Sequence, residues 1–153
     1  MIKILVIEDD TDLRRNIVDL LELEDYEVYS AVDGEDGVRC AKEYKPSIVV
    51  CDIMMPKLDG YGVLKQLRND PESLLIPMIF LTAKTDRQSM RIGMELGAED
   101  YLTEPFTQHE LLTAIQTQLS KRNALAQLLR ETSRHSHHSD AHYDPHQTDA
   151  SNT

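Results

Sequence analysis

The sequence has no tryptophan, and aromatic residues make up only 5% of it. Any core must therefore be packed with aliphatic side chains. Cysteine occurs twice, as Cys40 in a helical context and Cys51 in an apolar run. Two such residues fit reduced, buried fillers better than a disulfide framework. Positive charge is also scarce: 16 Lys and Arg stand against 27 Asp and Glu, a formal net charge of −11. A nucleic-acid surface needs clustered cations to displace counterions, so no direct DNA binding is expected. Too little chain follows residue 120 to form a DNA-binding unit. Long apolar runs are missing as well. The first, Ile2 to Ile7, is broken by Lys3 and ends at Glu8, too short for a signal-peptide core or a membrane span. The expectation is a cytoplasmic protein.

What the sequence does contain is a regular alternation of patterns. Ile2 to Ile7, Glu27 to Ala31, Ser47 to Cys51, Met78 to Leu81 and Glu99 to Leu102 read as strands. The first, third and fourth are almost continuously apolar, as in a parallel sheet covered on both faces. The second and fifth are more polar and should be less deeply buried. Helical periodicity fills the intervals at 11–24, 34–44, 58–69 and 85–96, with Gly97 placed as a C-terminal cap. A last helix opens on Thr107-Gln108-His109-Glu110, a capping box. Five strand–helix repeats joined by right-handed crossovers predict an α/β fold, a doubly wound five-stranded parallel sheet with helices on both faces. Ligands in such folds bind beyond the carboxyl ends of the strands, which directs attention to the residues after Ile7, Cys51 and Leu81.

The last helix can continue past Leu119 through Leu125, Leu128 and Leu129 to about Glu131. Roughly 25 residues of helix span about 37 Å, more than the sheet needs. Its apolar stripe could pack against a second copy as a homodimer. From Thr132 the chain lacks aliphatic residues larger than Ala, so 132–153 reads as a disordered tail. His135, His137, His138, His142 and His146 fall in it. Clustered imidazoles bind Zn²⁺, Ni²⁺ or Cu²⁺, but without a scaffold the binding is adventitious. The organisation is therefore a domain at 1–120, a helical extension at 121–131 and a His-rich tail.

Glu8 and Asp9 follow the first strand and Asp52 follows the third; Asp10 should turn away to cap the first helix. A single acidic residue at a strand end ordinarily sits in a solvated loop. Three converging from neighbouring strands repel one another, and a hard divalent cation relieves that repulsion. Mg²⁺ fits, because it takes one or two carboxylates and keeps positions for water and phosphate oxygens.

These residues are set in motifs that resemble the response-regulator receiver family of two-component and phosphorelay systems. The likeness runs from Lys3 to about Leu119 and rests on several spaced segments. They are Ile7-Glu8-Asp9-Asp10, Cys51-Asp52-Ile53-Met54-Met55-Pro56 with Asp59-Gly60, Phe80-Leu81-Thr82-Ala83, and Gly97-Ala98-Glu99-Asp100-Tyr101-Leu102-Thr103 before Pro105-Phe106. The resemblance implies a flavodoxin-like strand order 2-1-3-4-5, which the handedness rules alone do not supply. It implies that Asp52 is the phosphoacceptor and that Glu8, Asp9, Asp52 and the backbone carbonyl of Met54 hold Mg²⁺. It implies that Thr82 contacts the phosphoryl group and that Tyr101 changes rotamer in response. Haloacid-dehalogenase-like phosphatases also form an aspartyl phosphate, but they need a second Asp two residues after the nucleophile. Met54 stands there and cannot donate a proton.

One position departs from the family. Before the Pro of the fifth-strand loop the family has Lys; this chain has Glu104-Pro105. Two unit charges about 4 Å apart interact by roughly 4 kcal/mol at an effective dielectric of 20, so the exchange weighs against a dianionic phosphoryl group. The expected function is a stand-alone receiver, not an enzyme in the turnover sense. A histidine kinase or phosphotransfer protein donates to Asp52, and a downstream protein partner reads the result. The alternative is a pseudo-receiver, a protein-interaction module that phosphate does not switch because of Glu104.

Overall fold

A computed structural model describes residues 1–83 and 87–141. The elements run β1 (Lys3–Ile7), α1 (Thr11–Leu23), β2 (Glu27–Ala31), α2 (Gly34–Tyr44), β3 (Ile48–Asp52), α3 (Gly60–Arg68), β4 (Met78–Ala83), α4 (Arg87–Glu95), β5 (Asp100–Glu104) and α5 (Gln108–Ala141). The five strands form one parallel sheet in the order β2-β1-β3-β4-β5. Strand order and fold class are those expected.

Alternation along the strands divides the core in two. Leu5, Ile7, Val49, Cys51, Met78 and Phe80 pack with Val38 and Ala41 of α2 and with Val63, Leu64 and Leu67 of α3. Ile4, Val6, Ile48, Val50, Ile79 and Leu81 face the other way, onto Ile17 and Leu21 of α1 and Leu111 and Ile115 of α5. The apolar strands β1, β3 and β4 are the central ones, and the more polar β2 and β5 are the edges. Cys40 and Cys51 are both buried and free.

The chain divides into a compact unit at Met1–Leu119 and a second from Ser120 onward. In the second unit α5 continues as helix to Ala141, so the disordered tail expected from Thr132 is corrected over its first ten residues. The reason lies in the backbone: no Gly or Pro occurs in α5, and the next Pro is Pro145. Composition argued for disorder where no helix-stopping residue was present. Residues 142–153, including His142 and His146, lie outside the described residues, as do positions 85 and 86 of the expected fourth helix. Among the described residues no helix is long and apolar enough to cross a membrane.

Candidate functional site

The carboxyl ends of β1 and β3 lie side by side, Ile7 being paired with Cys51. One residue further along each strand stand Glu8 and Asp52. Asp9 opens the following loop, and Asp10 caps α1, its side chain accepting from the Leu13 N–H at 3.0 Å. Glu8, Asp9 and Asp52 each offer an oxygen within 4.8 Å of the others. The cluster is the one expected, and Asp10 turns away as expected.

Local structure holds the cluster in place. The Glu8 N–H donates to the Ala31 carbonyl at 3.1 Å, and the Ile53 N–H to the Leu81 carbonyl at 3.1 Å. Arg14 of α1 reaches back with Nη1 to the carbonyl oxygens of Glu8 at 2.7 Å and Asp9 at 3.5 Å. The Met54 N–H donates to Asp52 Oδ1 at 3.3 Å, which orients the carboxylate, while the Met54 side chain is exposed. Asp59 caps α3 through the Gly62 N–H at 2.9 Å. Gly60 lies so close to the site that an added Cβ would stand 2.7 Å from the Asp52 carbonyl oxygen. Lys57 is ion-paired with Asp33 at 3.4 Å. Nothing in the spacing of the sequence pointed to Arg14 or to the Lys57–Asp33 pair, whereas Gly60 stood inside a motif already noted.

Electrostatics mark the same place. The Glu8 side chain is buried and its carboxyl is pushed up to about 9, first by burial, then by contact with Asp52 and the charges of Asp9 and Glu104. Burial also raises Asp52, and Asp9 adds to this, while hydrogen bonds from Glu8 and the Met54 backbone act the other way. Glu8 Oε2 is buried without a hydrogen-bond partner. A buried carboxylate oxygen with no donor is costly unless a proton or a cation satisfies it. Hard oxygen donors, close spacing and an orphaned oxygen all suit a divalent metal ion.

Thr82 stands on β4 one residue beyond Leu81, which pairs with Asp52, and Tyr101 stands on the edge strand β5 in register with Phe80. Thr82, on β4, is buried and its Oγ1 has no partner. Tyr101, on β5, is half-buried against the core beneath α2 and α3. Glu104 ends β5, half-buried, and is joined to Pro105 by a cis peptide bond. Its carboxyl is raised, first by burial and then by Asp52 and Asp10, so it does sense the acidic cluster. With Leu13, Ala83, Pro105 and Phe106 it lines a cleft of about 500 Å³.

The family model of the response regulator receiver domain matches residues 4–116. The chain belongs to that family. The receiver is 44% identical over 119 residues to a probable transcriptional regulator, ycf27, of Porphyridium aerugineum, covering 78% of this chain and 48% of that protein. It is 36% identical over 127 residues to the DNA-binding dual master transcriptional regulator RpaA of a Synechocystis strain, covering 83% of this chain and 53% of that protein. Among solved structures, a receiver domain from Clostridium thermocellum matches with a TM-score of 0.77 and 31% identity, over 82% of this chain and 99% of that one. The receiver domain of a sensor histidine kinase from Pseudomonas aeruginosa, with a magnesium ion coordinated in its active-site cleft, matches with a TM-score of 0.72 and 30% identity, over 77% and 97%.

The receiver thus spans about half the length of the curated relatives it matches. This corrects the expectation of no direct DNA binding. Its relatives are transcriptional regulators, one of them named as DNA-binding. The acidic balance belongs to the stretch of chain seen here and carries no information on the remaining half of such proteins. The reading as a stand-alone receiver loses its basis for the same reason.

Proposed function

We propose that this receiver takes a phosphoryl group on Asp52 from a phosphohistidine of a histidine kinase or phosphotransfer protein. The observation that carries the reading is the convergence of Glu8, Asp9 and Asp52 at adjacent strand ends, with an oxygen of each within 4.8 Å. An Asp52 carboxylate oxygen attacks phosphorus as the phosphorus–nitrogen bond breaks, and the donor imidazole leaves. Glu8, Asp9, Asp52 and the Met54 carbonyl are the groups that would hold Mg²⁺. When bound, the ion neutralises charge on the phosphoryl oxygens and on the carboxylates around them. The magnesium in the Pseudomonas receiver's cleft supports this choice of ion.

The remaining residues are assigned roles in the same reading. The Met54 N–H holds Asp52 in orientation. The unpartnered Thr82 hydroxyl supports a role as donor to a phosphoryl oxygen, and Tyr101, on the neighbouring strand, is the residue we assign to respond when Thr82 moves. The receiver is a phosphoacceptor with self-catalysed transfer and hydrolysis, not a turnover enzyme. Its two free thiols suit a reducing, cytoplasmic compartment. A downstream element, protein or output domain, reads the phosphorylated form.

Glu104 favours one second reading, a pseudo-receiver whose fold serves protein interaction without a phosphoryl switch. Acetyl phosphate with Mg²⁺, followed by intact-protein mass spectrometry, separates the two. An adduct that disappears in Asp52→Asn is the expected result. No adduct on this chain, but a clear one on Glu104→Lys, would leave only the pseudo-receiver.

A further inference from the structure

The Glu8-Asp9 segment carries two of the three carboxylates of the acidic site, and the backbone is tied down on either side of it. Upstream, the Glu8 N–H donates to the Ala31 carbonyl of β2 at 3.1 Å. Downstream, Asp10 caps α1: its side chain accepts from the Leu13 N–H at 3.0 Å and its carbonyl from the Arg14 N–H at 2.9 Å. The carbonyls between these two ties are held by one side chain. Arg14, half-buried in the first turn of α1, donates through Nη1 to the Glu8 oxygen at 2.7 Å and the Asp9 oxygen at 3.5 Å. The Asp9 side chain is itself exposed, so the direction of its carboxylate depends on how this backbone is set.

Arg14 grips the segment without neutralising it. Among the described residues no ion pair joins its guanidinium to Glu8, Asp9 or Asp52. A guanidinium paired with those carboxylates would compete with a metal ion, whereas one bound to the carbonyls behind them leaves the carboxylate oxygens open. Arg15 carries the same charge one residue on, but it is exposed and holds neither carbonyl. The difference matters because divalent ions differ in what they tolerate. Mg²⁺ demands a near-octahedral shell at about 2.0–2.1 Å, while Ca²⁺ accepts a looser one at about 2.3–2.6 Å. Carboxylates held at a fixed spacing can favour the smaller ion, and a segment free to shift gives that preference up. Groups that orient metal ligands from behind commonly account for about ten- to hundredfold in affinity.

We propose that Arg14 is a positioning residue that sets the cation preference of the acidic site: by gripping the Glu8 and Asp9 carbonyls it fixes the spacing of the carboxylates and so selects Mg²⁺ over Ca²⁺. The proposal rests on Glu8, Asp9 and Asp52 being the groups that hold the metal. Charge alone predicts the opposite outcome when Arg14 is removed. A guanidinium near the site repels both ions, so its loss would tighten both, and by the same factor because the two carry equal charge. Loss of positioning instead weakens binding, and weakens Mg²⁺ more than Ca²⁺.

Isothermal titration of Mg²⁺ and of Ca²⁺ into the full chain tests this, with thermal unfolding in chelator to show that each variant is folded. Arg14→Gln should weaken Mg²⁺ about tenfold and Ca²⁺ by clearly less. Arg15→Gln removes the same charge and should keep the native ratio of the two affinities. Arg14→Lys keeps the charge, but its shorter side chain lacks the guanidinium fork, so its ratio should fall between those of Arg14→Gln and the native chain. A native ratio in Arg14→Gln, or the same fall in ratio in Arg15→Gln, would overturn the proposal. So would tighter binding of both ions to Arg14→Gln, which would show that the residue acts through its charge. Should Arg14→Gln fail to fold, Arg14→Lys decides: a ratio below the native one supports the proposal and an unchanged ratio overturns it. A native chain that binds neither ion, or one whose binding survives Asp9→Asn combined with Asp52→Asn, would sink the metal-site reading itself.

Discussion

Glu8 has an unfavourable position, buried, beside two other carboxylates, with one oxygen unpartnered. Such local cost is tolerated where a ligand later offsets it. Glu8→Gln keeps the shape and removes the charge. In metal-free buffer near pH 8 it should unfold at a temperature a few degrees higher, corresponding to about 1 kcal/mol, while Mg²⁺ binding weakens at least tenfold. Scanning calorimetry and isothermal titration read the two effects. A variant that lost stability and kept its affinity would mean Glu8 is a structural residue only. Gly60→Ala acts on the same site through the backbone: its Cβ would press on the Asp52 carbonyl oxygen, 2.7 Å away. It should cost on the order of 1–3 kcal/mol by overpacking and slow the acetyl-phosphate reaction as well. The carboxylates were legible in the sequence because strand ends and chain order brought them together. The orphaned Thr82 hydroxyl and the Arg14 anchor depend on side-chain direction in three dimensions, which spacing does not encode.

Elements in the receiver are held at their non-functional ends by one residue in particular. Arg68, the last residue of α3, donates to the carbonyls of Leu74, Ile76 and Gly97 and pairs with Glu99 at 2.9 Å. Glu99 in turn accepts from the Met78 N–H at 2.6 Å, tying the starts of β4 and β5 together. A planar fork suits this divided set of acceptors, and an ammonium cannot reproduce it. Arg68→Lys should therefore destabilise by about 2–3 kcal/mol, the range for charge-assisted hydrogen bonds, with phosphorylation at Asp52 retained. Chemical denaturation checks the first, mass spectrometry the second; equal stability would show the anchor to be redundant. The strands and their edge or central placement could be read from apolar content alone, because a strand buried on both faces leaves few polar choices. The capping box at Thr107 was equally legible, and its two reciprocal hydrogen bonds are formed at 3.1 and 3.3 Å. The length of α5 was not. Polar composition removes the packing incentive for a helix without removing its backbone hydrogen bonds, so only a stop residue marks its end.

At the scale of the whole molecule, the acidic site links stability to pH in a direction opposite to ordinary acid denaturation. Between about 4.5 and about 9 the folded chain keeps a proton on Glu8 that the unfolded chain has released. The folded state therefore binds more protons across that window, and its stability must fall as pH rises. Asp52 and Glu104, also raised, act with the same sign. Asp33 is lowered by the Asp36 backbone N–H, and its contribution is present at high pH and lost only as pH falls below its ordinary value of 3.8, outside this window. A divalent cation changes the balance, because it binds the ionised carboxylates and its affinity rises as their protons leave. In a chelator, stability should decline steadily from pH 6 to pH 8.5, by at most about 1.4 kcal/mol per pH unit for each proton involved, and the unfolding temperature should fall with it. With millimolar Mg²⁺ the decline should flatten or reverse. In Glu8→Gln the dependence in chelator should shrink, since the principal proton is gone. Parallel slopes with chelator and with Mg²⁺ would mean that the cation does not engage these carboxylates.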